Sequence, residues 1–165
     1  MPQPYHSHMY RTLFVGLLLL ARLGWSGDTK LDRATLAGIK AVNVVIDRLD
    51  PQLEEQGITQ DMLRSRIEEK LRGASITMDP KAVEFVGLHI VSMQAGKQPF
   101  SLCFSLALYQ PVLLVRDQKI RTASQTWDVN AILVVPPKPL VQSTLNTADQ
   151  LADLFVEAYR SANPR

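Results

Sequence analysis

His89 is the only histidine beyond the first 27 residues, since His6 and His8 lie near the start of the chain. A lone histidine with no neighbouring cysteine, and no carboxylate at helical spacing, does not make a zinc site. Glu68 and Glu69 are adjacent on an expected helix, so they point about 100° apart and do not pair for acid–base work. Asp128, beside Trp127, reads as a solvent-facing member of the row Thr122, Ser124 and Thr126. Cys103 has no second cysteine to bond with and no nearby cation or helix start to activate it. It reads as a small buried or half-buried strand residue. The chain also lacks a Gly-rich phosphate loop and a G-x-S-x-G elbow. No catalytic, metal-binding or cofactor-binding residue is expected, and the chain does not read as an enzyme.

The remaining candidate is a surface. Ser101, Cys103, Ser105, Ala107 and Tyr109 alternate with Phe100, Leu102, Phe104, Leu106 and Leu108, which is the period of a half-buried strand. If helices cover the Phe/Leu face, the small, weakly polar face is left open. Beside it, a second strand is expected to offer Thr122, Ser124 and Thr126, with Ala123, Gln125, Trp127, Val129 and Ala131 on its other side. These eight residues form the expected partner surface.

The two strands belong to one long hairpin, Phe100 to Val135, turning around Arg116-Asp117-Gln118-Lys119. Strands of this length reach about 50 Å and must twist or break. Pro111 is the expected break, because it removes a ladder donor. The other elements read as partners or covers for this hairpin. Ile39 to Leu49 is expected as a first strand, stopped by Asp50-Pro51 and followed by a polar loop over Gln52 to Gly57. Thr59 then caps a helix whose apolar stripe is Leu63, Ile67 and Leu71, with Gly73 near its end. A second strand is expected from Ala82 to Gln94, apolar on both faces. Pro136-Pro137-Lys138-Pro139 stops the last strand. A closing helix is expected from Asn146 or Thr147 to Ala162, with the stripe Leu151, Leu154, Phe155, Ala158 and Tyr159. The order is β-α-β-β-β-α. It predicts an α+β two-layer sandwich, a four-stranded, mainly antiparallel sheet with two helices on one face.

Met1 to Ser26 has the layout of a signal peptide. Arg11 precedes an apolar run, Thr12 to Ala21, too short to span a bilayer, and small residues precede Gly27. Residues 27–35 are expected as a linker and 36–165 as one domain. The composition is that of a globular chain, 46% hydrophobic and 21% charged, with a formal charge of +2. Arg11 and Arg22 account for that excess, so nucleic acid, which needs clustered cations, is not an expected partner. Membrane contact is expected only through an uncleaved leader. The expected location is the periplasm or the exterior.

The stretch Gly57-Ile-Thr-Gln-Asp-Met-Leu-Arg-Ser-Arg-Ile-Glu-Glu-Lys-Leu-Arg-Gly-Ala74 resembles a group of exported bacterial proteins of unknown role. Ser105-Leu-Ala-Leu-Tyr-Gln-Pro-Val112 and Phe155-Val-Glu-Ala-Tyr-Arg-Ser-Ala-Asn-Pro164 resemble the same group. In element order the chain is similar to the TolB N-terminal domain and to LptE, but it lacks the lipid-modified cysteine of the latter. The resemblance implies a binding or assembly module of the cell envelope and brings no catalytic residue. The alternative is a carrier of an apolar small molecule. It would need an internal cavity lined by residues such as Phe104, Leu106, Trp127, Leu151 and Phe155.

Overall fold

The computed structural model describes residues 27–164; the expected signal peptide lies outside the described residues. The chain forms α1 (Lys30–Ala34), β1 (Ala41–Ile46), α2 (Pro51–Glu55), α3 (Gln60–Gly73), β2 (Thr77–Met78), β3 (Phe85–Met93), β4 (Phe100–Leu114), β5 (Asp117–Val135) and α4 (Leu140–Ala162). The class is α+β, as the periodicities predict. Among the described residues the sheet has five strands in the order β2-β1-β3-β4-β5, and four helices accompany it. The expected four strands and two helices are corrected in three places. Residues 27–35 contain helix α1, the loop after β1 contains α2, and the turn after α3 contains the short edge strand β2.

Strand β1 runs parallel to both of its neighbours, and β3, β4 and β5 form the antiparallel meander. The inward residues Val42, Val44, Ile46, Val86, Leu88, Ile90, Leu102, Phe104, Leu106, Leu108, Trp127 and Val129 are all buried. Helices α3 and α4 pack on each other and on the sheet. Helix α3 buries the stripe Leu63, Ile67 and Leu71 that its sequence marks out. The Thr59 hydroxyl accepts the Met62 N–H at its start, and Gln60 donates to the carbonyls of Ile46, the last residue of β1, and of Asp47 just beyond it. At its end the Ile76 N–H bonds the Leu71 carbonyl and the Ser75 N–H that of Arg72, with Ser75 left-handed at φ 62°. This closure usually falls to glycine. Gly73 lies two residues too early to supply it.

Helix α4 starts at Leu140, six residues before the expected Asn146. The proline run misleads here because a proline at a helix start sacrifices no helical hydrogen bond. Leu140, Thr144 and Thr147 continue the buried stripe of Leu151 and Phe155 backward. Asn146 and Thr147 are interior: Asn146 accepts from Gln142, and the Thr147 hydroxyl donates to the Ser143 carbonyl.

The hairpin differs in two details. Its turn is Val115-Arg116, closed by the Leu114–Asp117 pair, and is centred two residues before the expected Arg116–Lys119 turn. Its central irregularity is at Thr126, not at Pro111. Leu108 faces Trp127, yet Tyr109 faces Gln125, so Thr126 is a bulged extra residue. Pro111 pairs in register with Ala123. It is tolerated because β3 stops pairing at Tyr109, so β4 has a free side there.

Candidate functional site

The bulge decides which residues share a face, because paired residues of an antiparallel ladder point the same way and a one-residue slip reverses them. Outward from the sheet stand five rows: Met93, Ser101 and Val134; Val91, Cys103 and Ile132; His89, Ser105 and Asn130; Gly87, Ala107 and Asp128; Phe85, Tyr109 and Gln125. Thr122 and Ser124 pair with Val112 and Gln110, so they lie on the opposite side from Tyr109. The expected eight-residue surface is therefore split. Ser101, Cys103, Ser105, Ala107 and Tyr109 share a face; Thr122, Ser124 and Thr126 do not join it.

Within that face the outcome also differs by residue. Ser101 and Cys103 are exposed and Ser105 is half-buried. Cys103 is thus more open than its alternation with large residues suggested. Ala107 is buried, at 2% exposure, although it points away from the core. The Tyr109 ring stacks on Phe85, with centroids 4.8 Å apart and planes 11° apart. Gly87, the lateral neighbour of Ala107, makes this possible; a Cβ there would sit 3.1 Å from the Tyr109 ring. Ala107 is covered by its neighbours on the sheet and offers a partner almost nothing.

The residues that dominate the open face were not in the expected surface. Val91, Met93, Ile132 and Val134 are 50%, 71%, 82% and 65% exposed. They flank Ser101 and Cys103 on both sides and form an apolar patch with the Cys103 thiol at its centre. A legible signal existed: β3 is apolar on both faces, and Ile132 and Val134 alternate with the inward Ala131 and Leu133. Towards β1 the patch ends in polar contacts. His89 Nδ1 lies 3.1 Å from Asp47 Oδ2, and Asp50 accepts both the Ser92 N–H, at 2.8 Å, and the Ser92 hydroxyl, at 2.7 Å. The Ser92 hydroxyl and amide hold the Asp50 carboxyl below the usual carboxylate range, and the nearby His89 adds a smaller pull.

Thr126 has a different task. Its hydroxyl accepts from the Gln110 amide at 2.7 Å, and its carbonyl accepts the Thr35 hydroxyl at 3.2 Å. Gln110 also donates to the Thr35 carbonyl. The bulge is thus the anchor of the segment expected to be a linker. Thr29 and Asp32 form a capping box that starts α1. Asp28 accepts from the Trp127 indole N–H at 2.8 Å and from Arg33 through both carboxylate oxygens. Arg33 reaches on to Glu157 of α4, and these carboxylates, Asp28 first, raise its pKa. Asn163 closes the other end, accepting from the Gly38 N–H and donating to the Leu36 carbonyl.

Among the described residues no group of three or more His, Cys, Asp or Glu is placed to hold a metal ion. The five residues expected to line a carrier cavity are all buried, with Trp127 packed edge-on against Phe155 at 5.2 Å. The described grooves lie elsewhere, on the outside of α3 and α4. One is lined by Arg66, Lys70, Asp149 and Asp153, whose charges are spent in the pairs Arg66–Asp149 and Lys70–Asp153. Among the described residues no helix is long and apolar enough to cross a membrane.

No protein-family model and no curated protein matches the chain. A crystal structure of a minor lipoprotein from Acinetobacter baumannii is similar over 74% of this chain and 92% of that one, at 10% identity and a TM-score of 0.37. A likeness of this size carries no inference about fold or function. The resemblance to exported envelope proteins therefore rests on the three sequence segments and on the order of the major elements, which is β1-α3-β3-β4-β5-α4.

Proposed function

We propose that the chain is a non-catalytic exported envelope protein, periplasmic or secreted, that binds another protein through the open face of its sheet. One observation carries the reading: four large aliphatic side chains stand exposed together on the sheet face that carries no helix. Scattered exposed apolar residues are ordinary, but a contiguous patch marks an interaction surface. The envelope part of the reading is supported by the leader layout and the three resembling segments.

A photo-crosslinking residue placed at Ile132 in the native envelope is expected to give a discrete adduct. The same residue at Arg64, on the solvent side of α3, is expected to give none. Equal yields from both positions, or adducts from neither, refute the binding face. Export is checked separately by sequencing the N-terminus of the exported protein. Gly27 is the expected first residue, and retention of Arg22 refutes cleavage at that point.

A further inference from the structure

Beyond Tyr109 the β4–β5 hairpin leaves the sheet. β3 ends its pairing at Tyr109, so Gln110–Leu114 and the β5 residues facing them continue as a two-stranded ribbon. Two-stranded ribbons are marginal structures in water. This one nonetheless carries large aliphatics at its tip: Val115 is 97% exposed, Leu113 52% and Ile120 43%. Arg116, Lys119 and Arg121 stand among them, against the single carboxylate Asp117. Arg33, Arg64, Arg66, Lys70 and Arg72 of the folded body are held in ion pairs, and the body's unpaired cations among the described residues, such as Lys30, Lys81 and Lys138, are scattered along the chain rather than clustered. Among the described residues the three tip cations are in none.

Exposed aliphatics interleaved with unpaired cations, on a projecting tip, are complementary to one kind of surface. The apolar groups enter the boundary between headgroups and acyl chains, while the cations meet lipid phosphates. We propose that the β4–β5 hairpin tip docks on an anionic phospholipid surface, a membrane contact separate from the leader. It is also independent of the protein-binding face, which lies across the other end of the sheet.

The test uses the full chain carrying Cys103→Ser, with an environment-sensitive fluorophore attached at Val115→Cys. Vesicles of phosphatidylethanolamine with phosphatidylglycerol are expected to shift the emission to the blue, and vesicles of phosphatidylcholine alone are not. The apparent affinity is expected to fall at least tenfold in Arg116→Glu/Lys119→Glu and to weaken with added salt. A label at Gln98→Cys, in the turn at the opposite end of the sheet, is expected to stay unchanged. Ile120→Cys provides a second reporter should the first variant melt early. Vesicle association with no shift at either tip reporter means that the leader alone binds, and it overturns the proposal. A shift that appears without vesicles and tracks protein concentration assigns the tip to a second copy of the chain, and overturns it equally.

Discussion

Asp28→Ala is expected to destabilise the protein strongly, although the residue lies in a segment that reads as linker. The carboxylate is nearly buried, at 8% side-chain exposure, and holds two groups at once. Its loss leaves the Trp127 indole N–H without its acceptor on a side chain that is 1% exposed. An orphaned buried donor costs about 1–3 kcal/mol. It also removes the main partner of Arg33, and breaking a fully buried pair costs about 3–5 kcal/mol. Arg33 is one-quarter exposed and retains Glu157, so its share falls well below that range. Together the loss comes to about 3 kcal/mol, or roughly 9 °C in Tm for a domain of this size. Asp28→Asn keeps an acceptor for Trp127 and loses only the charge, and is expected to fall about halfway. Trp127→Phe is expected to cost about 1–2 kcal/mol. Its effect and that of Asp28→Ala should be less than additive by about 1 kcal/mol, because they remove one shared bond. Urea denaturation followed by far-UV circular dichroism measures all five proteins, the wild type, the three single variants and Asp28→Ala/Trp127→Phe. A loss below about 0.5 kcal/mol for Asp28→Ala, the level of an ordinary surface change, refutes the anchoring of residues 27–39.

Gly27→Ala is expected to loosen the same segment, because the new Cβ would lie 2.7 Å from the Asp128 carbonyl oxygen, a backbone atom that does not swing away. Faster amide exchange across Arg33 to Ala37 is the readout, and unchanged exchange refutes the contact. Ser75→Gly is expected to raise stability by about 0.5–1 kcal/mol, since glycine relieves a left-handed serine at the end of α3; a lower Tm refutes it. Asp50→Ala is expected to cost about 1 kcal/mol at neutral pH by deleting two bonds from Ser92. The folded-state pKa of Asp50 is depressed, so its contribution is present above the unfolded value of about 3.9 and is lost as pH falls through the folded value. The stability gap between wild type and variant should therefore start to narrow as pH falls below about 3.9, and a gap that does not shrink as the acid is increased refutes the assignment.

Local pattern alone determined a good part of this protein. The four-residue recurrence of Leu63, Ile67 and Leu71 places the buried stripe of α3, and the alternation from Phe100 to Leu108 places the buried face of β4. Periodicity suffices there because each stripe is set by the geometry of one element, whatever it packs against. Tertiary structure decided what depends on a second strand or a distant residue. The bulge at Thr126 is a mismatch between two strands, and no single strand records it; by shifting register it parts Thr122 and Ser124 from Ser101 and Cys103. The burial of Ala107, on the face turned away from the core, and the close approach of the Tyr109 ring to Gly87 are set by neighbouring strands. The binding of residues 27–39 rests on Asp28 meeting Trp127, 99 positions away, and on Asn163 meeting Leu36 and Gly38 across the fold. A polar residue in a loop-like stretch reads as solvated unless its partner is known. Here the partners are brought to it by the sheet and by α4, so the chain folds what looks like a tether into the body of the domain.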